Sequence, residues 1–112
     1  KLIVPQAVAD LLPIKWKNKE VVLNNNKTFT TSDISITAVP MYDLPQDSNS
    51  RHKKGEGNGY IIELGGKRIY ISGDTDDIPE MNQIQLYHKI DHQEYEVLYV
   101  QVQYKILLIQ HY

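Results

Sequence analysis

One aspartate stands between a glycine and a threonine, Gly73-Asp74-Thr75, directly after an apolar run rich in Ile and Tyr. Glycine there opens backbone conformations closed to other residues, so the chain can leave a strand at an angle and carry Asp74 outward. A carboxylate presented in this way suits a cation, because it offers two oxygens and a negative charge. The other candidate donors are four histidines, His52, His88, His92 and His111, and the chain has no cysteine. Zinc takes imidazole, thiolate and carboxylate ligands, so a zinc site here would draw on histidine and carboxylate alone.

The element that must position Asp74 is a β-hairpin. Gly59-Tyr60-Ile61-Ile62-Glu63-Leu64 and Lys67-Arg68-Ile69-Tyr70-Ile71 are dominated by Ile and Tyr, and the Gly65-Gly66 link between them suits a primed two-residue turn. Upstream, residues 43–57 are rich in Asp, Ser, Asn, Lys and Gly, which marks a long surface loop of the kind that borders active sites. Downstream, Asp77 is placed to cap a helix, with Glu80 in the capping-box position and Pro79 in the first turn.

Taken in order, the loop Arg51-His52-Lys53-Lys54-Gly55-Glu56-Gly57-Asn58-Gly59-Tyr60, the strand Gly66-Lys67-Arg68-Ile69-Tyr70, and the turn and helix start Gly73-Asp74-Thr75-Asp76-Asp77-Ile78-Pro79-Glu80-Met81 resemble the later half of a metallo-β-lactamase superfamily hydrolase. The strand ending Ala38-Val39-Pro40-Met41-Tyr42 belongs to the same likeness, which covers roughly residues 1–82. The resemblance implies a partial αββα sandwich, strand-rich, of the α/β (α+β) class with two short helices. It further implies a hydrolase holding one or two zinc ions, in which metal-bound hydroxide attacks an ester, lactone, amide or phosphodiester.

On this resemblance Asp74 matches the aspartate that ligates or bridges the metals. His52 lies where the family also carries a histidine in its loop, and is either a metal or substrate contact or an exposed histidine beside Lys53 and Lys54. The closing run Tyr104-Lys105-Ile106-Leu107-Leu108-Ile109-Gln110-His111-Tyr112 resembles the family's final metal motif. His111 is accordingly either a ligand or a terminal histidine after a core strand. His88 and His92 flank Asp91, and a solvated helix face explains that pair better than an ion held at i, i+4.

The family's first metal motif, His-x-His-x-Asp-His, occurs nowhere in these residues, and residues 83–103 depart from the family pattern. The chain therefore reads as a single domain, 1–112, that is a fragment of a longer hydrolase. The alternative is a catalytically incompetent remnant that self-associates or pairs with a complementing chain.

Composition narrows the partners. With 41% hydrophobic and 23% charged residues in 112, this is one modest globular domain. A net charge of −2 gives no broad attraction for nucleic acid or an anionic membrane, which leaves an unidentified small-molecule substrate and a second copy or complementing chain. The lack of cysteine fits a cytoplasmic setting.

The remaining periodicity predicts a helix over Val4–Leu12 stopped by Pro13, a strand at Glu20–Leu23 closed by Asn24-Asn25-Asn26, and a longer strand over Ser32–Met41. These two strands are expected in one sheet. One or two further strands are expected between Tyr95 and Ile109, with Leu98, Val100, Val102, Tyr104, Ile106 and Leu108 sharing a face.

Overall fold

The computed structural model describes the backbone of residues 1–88, 92–94 and 107–108, and the side chains of residues 1–84. Its layers follow from the alternation of apolar side chains along each strand. In β1 (Leu2–Val4), Leu2 and Val4 face Val8 and Ala9 of the short helix α1 (Gln6–Ala9), whereas Ile3 faces the opposite way into the main core. β1 is the centre of a parallel three-stranded sheet, flanked by β2 (Glu20–Val22) and β8 (Leu107–Leu108).

A second sheet has five strands, in the order β3 (Thr28–Thr30), β4 (Ile34–Met41), β5 (Gly57–Leu64), β6 (Lys67–Ile71) and β7 (His92–Glu94). Its first three pairings are antiparallel and the last, β6 with β7, is parallel. Ile34, Ile36 and Ala38 of β4, Tyr60 and Ile62 of β5 and Ile71 of β6 meet Ile3 and Leu23 between the two sheets. The intervening residues Val39, Ile61 and Tyr70 turn to the other face and pack with Ile84 of α2 (Glu80–His88). The order of layers is thus helix, sheet, sheet, helix, a strand-rich α+β sandwich with two short helices, as expected from sequence. No helix among the described residues is long and apolar enough to cross a membrane.

Four local expectations are corrected. Leu2–Val4 is a strand, and the helix is confined to Gln6–Ala9, because extended Pro5 (φ −71°, ψ 162°) separates them and β1 finds partners on both edges. β2 and β4 belong to different sheets. The Asn24–Asn26 turn passes the chain from one to the other, with Asn26 at φ 67° and its N–H donating 2.7 Å to the Ala38 carbonyl. Asp77 does not cap α2, which begins at Glu80 with a carboxylate engaged by other partners. His92 lies in β7, beyond α2, so His88 and His92 do not share a helix. The strand face expected from Leu98 to Ile106 lies outside the described residues.

Between β4 and β5 the 43–56 segment folds on its own polar side chains. Asp43 Oδ2 accepts from the N–H groups of Arg51 (3.1 Å) and His52 (3.3 Å), while the Asp43 N–H donates to the His52 carbonyl at 3.0 Å. Gln46 adds a second clasp, its Nε2 donating to the His52 carbonyl (3.2 Å) and its Oε1 accepting from the Lys54 N–H (2.8 Å).

Candidate functional site

Gly65 and Gly66, at φ 57° and 75°, close the β5–β6 hairpin with the positive dihedrals a type I′ turn requires. β6 then ends at Ile71, and Gly73 at φ 69° turns the chain away from the sheet edge. Asp74 follows with its side chain 64% exposed, presented to solvent beside the 43–56 segment. Its Oδ2 stands 3.8 Å from His52 Nε2, and the imidazole is only 20% exposed.

Two sets of hydrogen bonds bring these residues together. Residues 74–76 are stitched to the end of β4: the Tyr42 N–H donates to Thr75 Oγ1 (3.2 Å), the Thr75 hydroxyl to the Tyr42 carbonyl (3.1 Å), and the Asp76 N–H to the same carbonyl (3.0 Å). Asp76 Oδ2 accepts from the Leu44 N–H at 2.7 Å. Asp43 then holds the His52 backbone from the same corner. Asp43, Thr75 and Asp76 are site-building residues that a sequence reading misses, because each works on the backbone of a segment about nine to thirty-three residues away. The only available signal was the polar composition around Asp43.

A third group ties the segment to α2. The Tyr42 hydroxyl donates to Glu80 Oε2 at 2.6 Å, Lys54 Nζ lies 3.0 Å from Glu80 Oε1, and the same ammonium sits 5.1 Å from the Tyr42 ring centroid. The Tyr42 hydrogen bond, with Lys54 assisting, holds the Glu80 carboxyl below the usual carboxylate range. Glu80 in turn raises both the Tyr42 phenol and the Lys54 ammonium. All three groups therefore keep their ordinary ionisation at neutral pH, Glu80 charged, Lys54 charged and Tyr42 neutral.

Beside His52 is a cavity of about 190 Å³. Val8, Leu11 and Met41 supply its apolar wall, Arg51 and Lys53 two cationic groups, His52 an imidazole and Glu56 one carboxylate. It suits a small molecule with an anionic group and an apolar part.

Of the three residues expected to hold metal, Asp74 and His52 are brought together and His111 lies outside the described residues. Among the described residues no group of three or more His, Asp or Glu side chains gathers in one place. A nitrogen and a carboxylate oxygen are donors zinc accepts, and two such donors on one tetrahedral ion stand roughly 3.3 Å apart. The observed 3.8 Å is within a small side-chain adjustment of that separation. As a donor set the pair fits part of a zinc site and not a complete one.

Comparison with known proteins agrees with this architecture. The chain is 29% identical over 92 residues to a UPF0173 metal-dependent hydrolase of Pyrococcus abyssi, an alignment covering 81% of this chain and 40% of the relative. It is also similar to a crystal structure from Parabacteroides distasonis ATCC 8503, provisionally named a metal-dependent hydrolase. That match has 38% identity and a TM-score of 0.62, and covers 72% of this chain and 35% of the other. No protein-family model matches the chain. In fold and sequence the chain is thus similar to proteins named metal-dependent hydrolases, and it spans well under half the length of these two relatives.

Proposed function

We propose that this chain carries one wall of the zinc site of a metallo-β-lactamase superfamily hydrolase, with Asp74 and His52 as ligands and His111 as a third. The supporting observation is the placement of Asp74, carried past the edge of a two-sheet core by Gly73 and set 3.8 Å from His52. Zinc, when bound, supplies an activated water as nucleophile and positive charge against which an oxyanion can develop. The chain's own residues do the rest. Asp43 and Gln46 fix the His52 backbone and so the direction of its imidazole. Arg51 and Lys53 attract the anionic part of a substrate, while Val8, Leu11 and Met41 receive its apolar part and exclude water. The bond broken is that of an ester, lactone, amide or phosphodiester. A cytoplasmic setting belongs to the same reading, supported by a composition without cysteine.

A second reading stands beside the first, because among the described residues the donor set stops at His52 and Asp74. In it the chain is a strand-rich domain, inactive alone, that acts by self-association or by pairing with a complementing polypeptide. Zinc content after equilibrium dialysis of the purified chain separates the two. A retained site gives bound zinc that falls by about a hundredfold in affinity in Asp74→Ala and in His52→Ala. A chain that must be complemented retains none by itself and gains it when the partner polypeptide is added. Zinc binding that Asp74→Ala leaves unchanged would overturn the assignment of Asp74 in both.

A further inference from the structure

Past α1 the chain makes an exposed turn with an unusual side-chain set. Leu11 is 59% exposed, Ile14 88% and Trp16 41%, three large apolar residues within six positions. Pro13 opens a single 3₁₀ turn over Ile14–Trp16, and Asn18 at φ 72° bends the chain back toward β2. Lys15, Lys17 and Lys19 punctuate the same stretch, which Asp10 and Glu20 bound, so positive charge exceeds negative by one across 10–20. Two of their ammonium groups flank the indole, Lys15 Nζ at 5.9 Å and Lys19 Nζ at 5.8 Å from its centroid. None of the three lysines forms an ion pair with a described residue.

We propose that this turn is a docking surface for an anionic lipid membrane. Isolated exposed apolar residues need no explanation, but three on one turn hold a standing hydration cost that an apolar surface would relieve. The charge around them selects the occupant. Aliphatic Ile14 can enter the boundary between headgroups and acyl chains, an indole favours the headgroup level, and lysine stems let ammonium groups reach lipid phosphates. The net charge of −2, from which no broad membrane attraction follows, averages over this cluster and conceals it.

Single-stranded nucleic acid is the nearest competitor, since it too meets lysine and tryptophan. It is disfavoured because stacking needs an open aromatic face, whereas here lysines flank the indole and the most exposed side chain is an isoleucine. Leu11 also lines the cavity beside His52, so a turn seated on lipid holds that cavity close to the bilayer.

Trp16 is the single tryptophan of the chain and sits within the turn, so its fluorescence reports docking directly. Vesicles of equimolar phosphatidylserine and phosphatidylcholine should shift its emission to the blue and carry the protein down on sedimentation, and added salt should weaken both effects. Phosphatidylcholine alone should do neither. Replacing Lys15, Lys17 and Lys19 together by Ala should weaken binding on the order of a hundredfold, from about fivefold for each lysine. Ile14→Asp should abolish it with an unchanged circular dichroism spectrum, as expected for so exposed a position. The proposal is overturned if phosphatidylserine vesicles neither shift the emission nor sediment the protein. It is equally overturned if an oligouridylate produces the shift while vesicles do not, or if Ile14→Asp changes the mass by light scattering in a chain that vesicles do not bind.

Discussion

Replacing Gly59 by Ala tests how the core sets the position of Asp74. Gly59 is buried in β5, next to the register pair Tyr60–Ile71, where β6 is about to release the chain toward Gly73. A methyl group built on it would meet the Ile71 carbonyl oxygen at 3.0 Å, Val39 Cγ2 at 3.1 Å and the Ser72 carbonyl oxygen at 3.2 Å. Each is several tenths of an ångström inside ordinary van der Waals separation. Two of the three are backbone atoms at the end of a paired strand, so the strain cannot be relieved by a rotamer change. Overpacking of this kind costs about 1–3 kcal/mol. In a domain of this size that lowers Tm by roughly 4–8 °C per kcal/mol. Urea titration followed by circular dichroism measures the loss, and zinc dialysis on the folded variant measures whether moving Ser72 disturbs Asp74. Gly55→Ala is the contrast, because nothing lies within 4 Å of its would-be Cβ and only its φ of 90° opposes the change. Gly59→Ala within about 0.5 kcal/mol of the parent, the range of neutral surface changes, would refute the close approach and the positioning argument with it.

Three further outcomes are expected. Asn58, fully buried, donates to the Leu23 carbonyl at 2.6 Å and accepts from Asn25 Nδ2 at 2.7 Å, so Asn58→Ala should cost about 2–3 kcal/mol in urea denaturation by stranding a buried carbonyl. Burial pushes the Tyr60 phenol up from 10.0 to about 12. Above pH 10 the unfolded chain therefore gives up this proton while the fold keeps it, and stability should fall by on the order of 2–3 kcal/mol between pH 10 and 12. Urea midpoints across that window should decline less steeply in Tyr60→Phe. Asp43→Ala should lower zinc affinity about tenfold or more without touching either ligand, because the His52 backbone loses its clasp; dialysis against graded zinc checks this.

Alternating residues carried most of the architecture. Ile34, Ile36 and Ala38 against Val39, and Tyr60 and Ile62 against Ile61, state in sequence which face each strand buries, and Gly65-Gly66 states where the hairpin turns. Gly73-Asp74 was readable as an outward bend for the same local reason, since a positive φ beside a carboxylate depends on little beyond its neighbours. Sheet membership was not readable. Nothing local to Glu20–Val22 and Ile34–Met41 says that they part into separate sheets, and Val4, where the helix was expected to begin, is extended because β1 finds two parallel partners.

The pairing of His52 with Asp74 is of the same non-local kind. Each residue was a candidate by type, but their 3.8 Å separation depends on Tyr42, Asp43, Thr75 and Asp76 exchanging hydrogen bonds across distant segments. Local dihedrals and side-chain periodicity are properties of neighbours along the chain and are therefore written in it. A site assembled from two segments exists only after the sheets have packed and brought their ends to one corner, because no shorter stretch contains both of its halves.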